Sequence, residues 1–513
     1  MHYVIGSGPA GVACAMGLIA RGEEVTMLDA GFALEPDVKS MVDLMSGQGP
    51  DQWAPETLRS VKTLATVGGA PRKLVYGSEY PYRQPAGYRP LAGTGADFSP
   101  SFAVGGLSNV WGAAVLPYLQ SDIDDWPIRL TDISRYYPSI FEFVPLAARI
   151  DDLAGLFPLY TEHFQEHRSS RQAQRFLDAL ERHRDAFEEQ GIIFGSSRLA
   201  VEVKRATGDG CVYCGMCMFG CPYDLIYSSR QTLAQLMRQP GFRYVGGVIV
   251  ERLEEKSGAV AVHARLVTGE TVSYEAGRVF VGAGAVPTTQ IVMDSLGLEQ
   301  TTMQDSQYFV LPLLQAAGSG ARREELHTLA QVFLDIRDPA ISPRTIHLQL
   351  YTYNEIYDLE FKRRFGPLKR LLPTGPILDR MSVIQGFLHS DDSVKVRVVR
   401  RGDGLKLRRV KNDRPKQIVG KVARKLARNS VRLGAAPVLP MLKVEQPGKS
   451  FHFGGTFPMS VDPQPGQTDT LGRPAGLQRI HLVDSSCFPS IPATTITLSV
   501  MANAYRIATE HAD

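Results

Sequence analysis

The chain has 513 residues, of which 44% are hydrophobic and 21% charged, and its net charge is +3. That length and balance exclude a disordered chain and fit two or three globular domains, and no run reaches the 18 or so apolar residues of a membrane-spanning helix. Six cysteines, four of them falling between Cys211 and Cys221, exclude a small disulfide-built scaffold.

Tyr3-Val4-Ile5 runs into Gly6-Ser7-Gly8-Pro9-Ala10-Gly11, and Val25-Thr26-Met27-Leu28-Asp29 follows. This reads as strand, glycine turn, helix and second strand. Gly6 allows the turn, Gly8 lets backbone approach a pyrophosphate, and Gly11 lets helix and strand pack closely. The helix N-terminus offers its N–H groups to the phosphates. Asp29 stands where a carboxylate can bond a ribose hydroxyl. The stretch predicts a dinucleotide site but does not separate FAD from NAD. Because the turn begins at residue 6, no signal peptide is expected, and the expected location is the cytoplasm or the cytoplasmic face of a membrane.

Residues 31–100 are loop-rich. In Val104-Gly105-Gly106-Leu107-Ser108-Asn109-Val110-Trp111-Gly112-Ala113 the glycines permit close approach of backbone to a ligand. Residues 130–205 read as helices, among them Gln172 to Gln190 with Phe176, Leu180 and Phe187 on one face. Next comes Cys211-x-x-Cys214-x-x-Cys217-x-x-x-Cys221-Pro222, the spacing of bacterial ferredoxin ligands. It predicts an iron–sulfur cluster, [4Fe–4S] if Cys221 completes the set and [3Fe–4S] if three thiolates hold it. A four-thiolate zinc site and a group of buried thiols are the alternatives. Cys14 and Cys487 stand apart from this run.

A helix is expected from about Ser228 to Arg238. Strand-like runs from Phe242 to Val281, including Val248-Ile249-Val250, lead to a second glycine turn at Gly282-Ala283-Gly284-Ala285, expected as another crossing of the same sheet. Residues 305–400 regain strand character, as in His347-Leu348-Gln349-Leu350-Tyr351, and predict a separate sheet lining a substrate cavity. Between Lys395 and Arg432 there are 15 Lys or Arg against Asp403 and Asp413. Residues 414–432 read as a basic amphipathic helix with Ile418, Val419, Val422 and Leu426 on one side. With the similar segment 361–372, it gives three readings: a solvated basic face, peripheral membrane contact, or a phosphate-bearing substrate. No nucleic-acid motif accompanies it. The chain closes with Phe451-His452-Phe453-Gly454-Gly455-Thr456, a strand at Ile480 to Asp484, and a helix from about Thr494 to His511 with Thr494 or Thr495 as its cap.

Taken in order, these segments resemble the glucose–methanol–choline (GMC) oxidoreductase family. Gly6-x-Gly8-x-x-Gly11 matches its FAD fingerprint. Gly105-Gly106-x-Ser108-x-x-Trp111-Gly112 is similar to its second flavin-contacting segment, and Gly282-Ala283-Gly284-Ala285 to its third. His452-x-x-Gly455-Thr456 with Val483-Asp484 resembles its C-terminal signature. The resemblance implies an α/β fold: a discontinuous Rossmann-like FAD-binding domain, a mixed-sheet substrate domain and a helical insertion carrying the cysteines. The expected boundaries are 1–125, 228–300 and 451–513 for FAD, 126–227 for the insertion, and 301–450 for the substrate.

It further implies oxidation of an alcohol to a carbonyl, with His452 as base and Asp484 on the cofactor. Gly6, Gly8, Gly11, Asp29, Gly105, Gly106, Ser108, Asn109, Trp111, Val250 and Gly284 complete the expected cofactor set. Two departures stand out. The family's second catalytic His or Asn is replaced by Thr494 and Thr495, whose hydroxyls are no comparable base. Val110 occupies the place of the His that tethers FAD in pyranose-oxidising relatives, so the FAD is expected to be non-covalent.

The expected reaction passes hydride from a sugar or polyol hydroxyl, free or on a lipid- or phosphate-linked carrier, to the flavin. Single electrons then pass through the cluster to a quinone or small electron carrier. The competing readings are an oxygen-using oxidase with structural zinc, and a flavin and iron–sulfur electron-transfer subunit without its own substrate.

Overall fold

The computed structural model describes residues 1–511 except 68–69, 90, 94, 319–325, 357–373 and 403. The basic segment 361–372 therefore lies outside the described residues. Among the described residues no helix is long and apolar enough to cross a membrane.

At the centre is a five-stranded parallel sheet in the spatial order Ile480–Leu482, Arg278–Val281, His2–Ile5, Val25–Leu28, Phe242–Val245. Its strands are largely apolar because both faces are covered, one by helix Pro9–Ala20 and the other by an antiparallel meander that Tyr274 joins to Tyr3. Helix Pro9–Ala20 leaves the first strand and packs on the last helix, Thr497–Glu510, so closely that a Cβ on Gly17 would lie 2.9 Å from the Ala508 Cβ. The glycine turns after His2–Ile5 and Arg278–Val281 leave the carboxyl ends of adjacent strands. That is where an open α/β sheet has its ligand crevice.

Not every strand expected between residues 242 and 281 crosses this sheet. Val248–Lys256, Ala259–Leu266 and Thr271–Ala276 form a separate antiparallel meander. Their period-2 burial, one face in and one out, is that of a half-solvated sheet rather than a doubly covered one.

A seven-stranded antiparallel sheet runs Ala435–Pro437, Tyr308–Gln315, Met381–Phe387, Ile346–Tyr351, Val332–Ile336, Ile192–Ser196, with Lys443–Val444 also paired to Tyr308–Gln315. Its outermost strand, Ile192–Ser196, comes from the stretch expected to be a helical insertion. The helix expected over Gln172 to Gln190 is two, Arg171–Arg182 and Arg184–Glu188, parted at His183, whose φ of −123° leaves the helical region.

Strands Val332–Ile336 and Ile346–Tyr351 are buried throughout. Val332, Leu334, Ile336, Ile346, Leu348 and Leu350 point to one core, beneath the helices Arg171–Arg182 and Arg414–Arg428. Phe333 and Tyr351, on the opposite face, join the core of the parallel-sheet domain. Successive side chains alternate between faces, so Asp335, His347 and Gln349 share that second face.

The basic helix is Arg414–Arg428, and Ile418, Val419, Val422 and Leu426 are all buried against this sheet. The apolar stripe on which the membrane reading drew is thus core. Only the basic side is turned outward, and part of it is paired, as in Lys425 with Asp338 at 2.7 Å.

Candidate active site

The first turn divides its glycines between two jobs. A Cβ on Gly11 would overlap the Gly6 carbonyl oxygen, and one on Gly6, at φ +94°, would lie 2.7 Å from the Gly282 carbonyl oxygen. These positions are glycine because backbone meets backbone. A Cβ on Gly8 or Gly284 would meet nothing within 4 Å. Both face open space at the sheet's carboxyl edge, the room a pyrophosphate needs beside a helix N-terminus. Gly8→Ala is therefore expected to fold normally and lose FAD. Gly11→Ala should destabilise the protein by about 1–3 kcal/mol as well. Flavin absorbance with a denaturant titration of both variants separates the two effects.

A net of hydroxyls ties the segments together. The Ser7 hydroxyl donates to Asp29 at 2.7 Å and accepts from the Gly105 amide at 3.0 Å. Ser229 donates to the carbonyls of Ser7 and Gly105, both at 3.0 Å, and its amide donates to Ser108. The Asn109 amide bonds the carbonyls of Val104 and Gly106, and the Trp111 indole bonds the Tyr227 carbonyl at 2.8 Å. Ser108, Asn109 and Trp111 thus shape their loop, which leaves backbone as the surface offered to a ligand. A Cβ on Gly106 would lie 3.4 Å from the Gly8 Cα, so the two glycine segments are adjacent.

Asp29 is buried, and burial raises its carboxyl above the usual range against the hydrogen bonds from Ser7 and Tyr244. Val250 lies nearby: the Val248 amide donates to the Asp29 carbonyl, and Val250 is buried at an irregularity of its strand. Asp484 is buried too. It accepts from the Gly284 amide at 2.9 Å, the Thr288 hydroxyl at 2.5 Å and the Ser486 amide at 2.9 Å. Its carboxylate fixes the turn at Gly284 against the last strand of the sheet, so any role toward the cofactor includes placing that turn.

The C-terminal signature has a physical reading. A Cβ on Gly454 would overlap the Ser485 backbone, and Thr456 accepts from Thr289 on the helix that follows Gly284. Just before them, Phe451 takes φ +59°, and His452 is anchored through its backbone. Its amide donates to the Ser450 hydroxyl at 2.9 Å, its carbonyl accepts from the Ser306 amide at 2.8 Å, and Ser450 donates to Asp305 at 2.6 Å. The imidazole stacks on Phe387, centroids 4.9 Å apart.

His452 is half-buried, with Nδ1 enclosed and without a hydrogen-bond partner among the described residues, which leaves Nε2 to meet a ligand. Burial first, then His347, lowers its pKa to about 3. A lowered pKa keeps the imidazole neutral, hence able to accept a proton, from about pH 4 upward. The rate of flavin reduction by substrate is accordingly expected to show no limb near pH 6.5 between pH 5 and 8. A stopped-flow pH series would reveal such a limb if His452 titrated as an ordinary imidazole.

Beside His452 runs a polar row that sequence reasoning did not single out. His347 Nδ1 stands 3.1 Å from Asp335, His347 Nε2 is 3.2 Å from the Gln349 amide, and the Tyr351 hydroxyl donates to Gln349 at 3.1 Å. A Cβ on Gly112 would lie 3.1 Å from the Tyr351 oxygen, so the row ends at the second glycine segment. The strand 346–351 was expected to line a cavity. Its alternation puts His347, Gln349 and Tyr351 on one face, where they are buried and bonded to one another.

Thr494 and Thr495 are both buried, but neither caps the last helix. That helix begins at Thr497, with Ile496 in the cap position and no side-chain cap. The Thr495 hydroxyl instead accepts from the Leu116 amide at 2.7 Å. The Thr494 hydroxyl is buried without a partner among the described residues, so of the two it retains hydrogen-bonding capacity.

The four clustered cysteines are unpaired. Their loop turns on left-handed Tyr213, Gly215 and Gly220, and Tyr76 packs where a Gly220 Cβ would sit. Burial first, then neighbouring thiols of the set, raises Cys211 to about 11 and Cys214 and Cys221 to about 12. A thiophilic metal ion bound here would displace the thiol protons, but among the described residues no three of the four sulfurs stand at the spacing of a single-ion site. Lys73 links the two regions. It donates to the Trp111 carbonyl at 3.1 Å, and its ammonium, lowered to about 8 by burial, senses Cys217. Cys487 accepts from Asn503 and packs in the core, away from this set.

Two stretches of the chain, residues 102–303 and 416–504, match the N-terminal and C-terminal models of the GMC oxidoreductase family, together more than half of its length. No curated protein sequence matches. Among solved structures, pyridoxine 4-oxidase from Mesorbium loti has a TM-score of 0.61 at 14% identity, covering 99% of this chain and 98% of that one. A formate oxidase gives 0.61 at 12% identity, covering 99% and 97%. Formate oxidase of Aspergillus oryzae RIB40 gives 0.63 at 13%, also covering 99% and 97%. At such identities the likeness is one of fold.

Proposed function

Since the chain belongs to the GMC oxidoreductase family, and is thus an FAD-dependent oxidoreductase acting on CH–OH groups, we propose that it is a dehydrogenase for a sugar or polyol hydroxyl whose electrons leave singly through the cysteine site. When bound, FAD supplies the hydride acceptor and an iron–sulfur cluster on Cys211, Cys214, Cys217 and Cys221 a one-electron carrier.

The chain's own residues do the rest. Gly8 and Gly284 leave room for the pyrophosphate, and Asp29 is placed for a ribose. His452, neutral and held by the Asp305–Ser450 pair, takes the hydroxyl proton at Nε2. Thr494 has a hydroxyl to offer the substrate. The row from Asp335 to Tyr351, buried and hydrogen-bonded within itself, backs His452 with a polar sheet face. Val110 in place of a tethering His supports non-covalent FAD. The proposed acceptor is a quinone or a small electron carrier. The outward basic side of Arg414–Arg428 supports contact with an anionic membrane surface or with a phosphate on the substrate's carrier.

The observation that carries the dehydrogenase reading is the run Cys211, Cys214, Cys217 and Cys221, with ferredoxin spacing and one lysine away from the flavin-contacting segment. Its test is iron and sulfide analysis of anaerobically purified protein, followed by a screen of alcohols and sugars for flavin bleaching. About four irons per chain are expected. A second reading is favoured by the solved relatives, which are named as oxidases: the cysteines hold structural zinc, and oxygen is the acceptor. Zinc in place of iron, with hydrogen peroxide formed during turnover, would establish it.

A further inference from the structure

At the opposite end of the parallel sheet, three side chains converge on one point. His2 opens the first strand, Glu23 lies between the first helix and the second strand, and His511 follows the last helix. Their donor atoms, His2 Nε2, Glu23 Oε2 and His511 Nε2, all lie within 4.8 Å of one another.

The contacts are not those of an ordinary ion pair. His2 Nε2 is 2.8 Å and His511 Nε2 3.5 Å from the same Glu23 oxygen. Yet Glu23 Oε2 and His511 Nε2 are buried without a hydrogen bond among the described residues. Glu23's other oxygen is held by Arg21 at 2.6 Å, which fixes the carboxylate so that Oε2 faces the two rings. His511 Nδ1 is 2.8 Å from the Ala508 carbonyl, which places the ring proton on Nδ1 and the lone pair on Nε2. In the neutral ring that lone pair meets a carboxylate oxygen, an arrangement repulsive unless a proton or a metal ion lies between.

A backbone carbonyl that sets the tautomer of a half-ligated ring is the usual support for a metal-binding histidine. Two ligands held 2.0–2.1 Å from a tetrahedral ion stand about 3.3 Å apart; the 3.5 Å of His511 fits this spacing, and His2, at 2.8 Å, draws back slightly to admit the ion.

We propose that His2, Glu23 and His511 bind a divalent ion of the zinc class, with a fourth position open to water. Two imidazoles and one carboxylate suit such a borderline ion better than calcium or magnesium. His511 is fully buried, whereas His2 and Glu23 keep 17% and 15% side-chain exposure, which gives the ion a way in. Arg278 and the terminal ammonium also face the imidazoles, so Glu23 is the site's one anionic ligand and binding depends on it.

The site joins the start of the first strand to the end of the last helix. From His2 to Gly6 the strand rises about 13 Å, so the ion is remote from the glycine turns. Its role is to staple the two ends of the flavin domain.

The test is zinc binding to the chelator-washed holoprotein, comparing wild type with His511→Ala and Glu23→Gln. The cysteine set is common to all three and cancels in the comparison. Wild type is expected to take up about one zinc more per chain than either variant. Saturating zinc should raise its melting midpoint by a few degrees, reversibly on chelation, with no rise from this site in either variant. Flavin reduction should be unchanged throughout. Glu23→Gln keeps the side chain's shape, so it decides the matter even if His511→Ala folds poorly. Equal zinc uptake and equal melting shifts in wild type and Glu23→Gln would overturn the assignment.

Discussion

His452→Ala is expected to retain FAD and to slow flavin reduction by substrate about 10²–10⁴-fold, the contribution of a positioned general base. Retention follows from where the residue sits. The cradle is built from Gly6, Gly8, Gly11, Gly105 and Gly284, and the hydroxyl net among Ser7, Ser108, Asn109 and Ser229 does not include His452. The loss follows from its chemistry. Nε2 is a neutral acceptor, and Thr494 and Thr495 cannot replace it. Because Asp305, Ser450 and Ser306 engage the backbone at His452, the turn should survive truncation of the ring. Stopped-flow reduction compared with flavin absorbance reads both parts. Wild-type kinetics in the variant would remove His452 from the mechanism.

The second large effect belongs to the cysteines. Cys214 is the second ligand of the ferredoxin-spaced run, and its thiol is affected by Cys217, Cys221 and Cys211. Cys214→Ser should therefore lower iron from about four per chain to a small fraction. Flavin reduction by substrate should continue, while delivery to a one-electron acceptor collapses. The small core around the loop, Met216 and Phe219 against Met45, Trp53 and Val61, should also loosen. If the site instead holds zinc, the variant loses zinc and stability while acceptor reduction keeps its wild-type rate.

The parts legible in the sequence were those where backbone meets backbone. Gly6, Gly11, Gly282 and Gly454 are each forced by a carbonyl or a chain passing within a Cβ of them, and such positions recur in order along the chain. What joins those segments was not legible. Ser7, Ser228, Ser229, Tyr244 and Lys73 are ordinary polar residues whose partners lie far away in sequence, and nothing local marks them.

The row Asp335, His347, Gln349 was legible only in part: strand 346–351 was expected to line a cavity, but Asp335 reaches His347 through pairing with a separate strand. In an alternating strand, polar residues normally mean solvent. Here both faces of the sheet are covered, and the polar face looks into the catalytic side. The same ambiguity affected Arg414–Arg428, whose apolar stripe fits a membrane and a sheet equally well until the sheet is seen beneath it. The break at His183 and the uncapped start of the last helix are tertiary choices that propensity does not record.

The most direct measurement is anaerobic reduction of the iron-loaded holoenzyme by an alcohol from the screen, counting electrons taken up per chain. The account predicts about three, two on FAD and one on the cluster, with flavin bleaching and cluster reduction appearing together. Uptake of about two, with the flavin bleached and the cluster still oxidised, would contradict it.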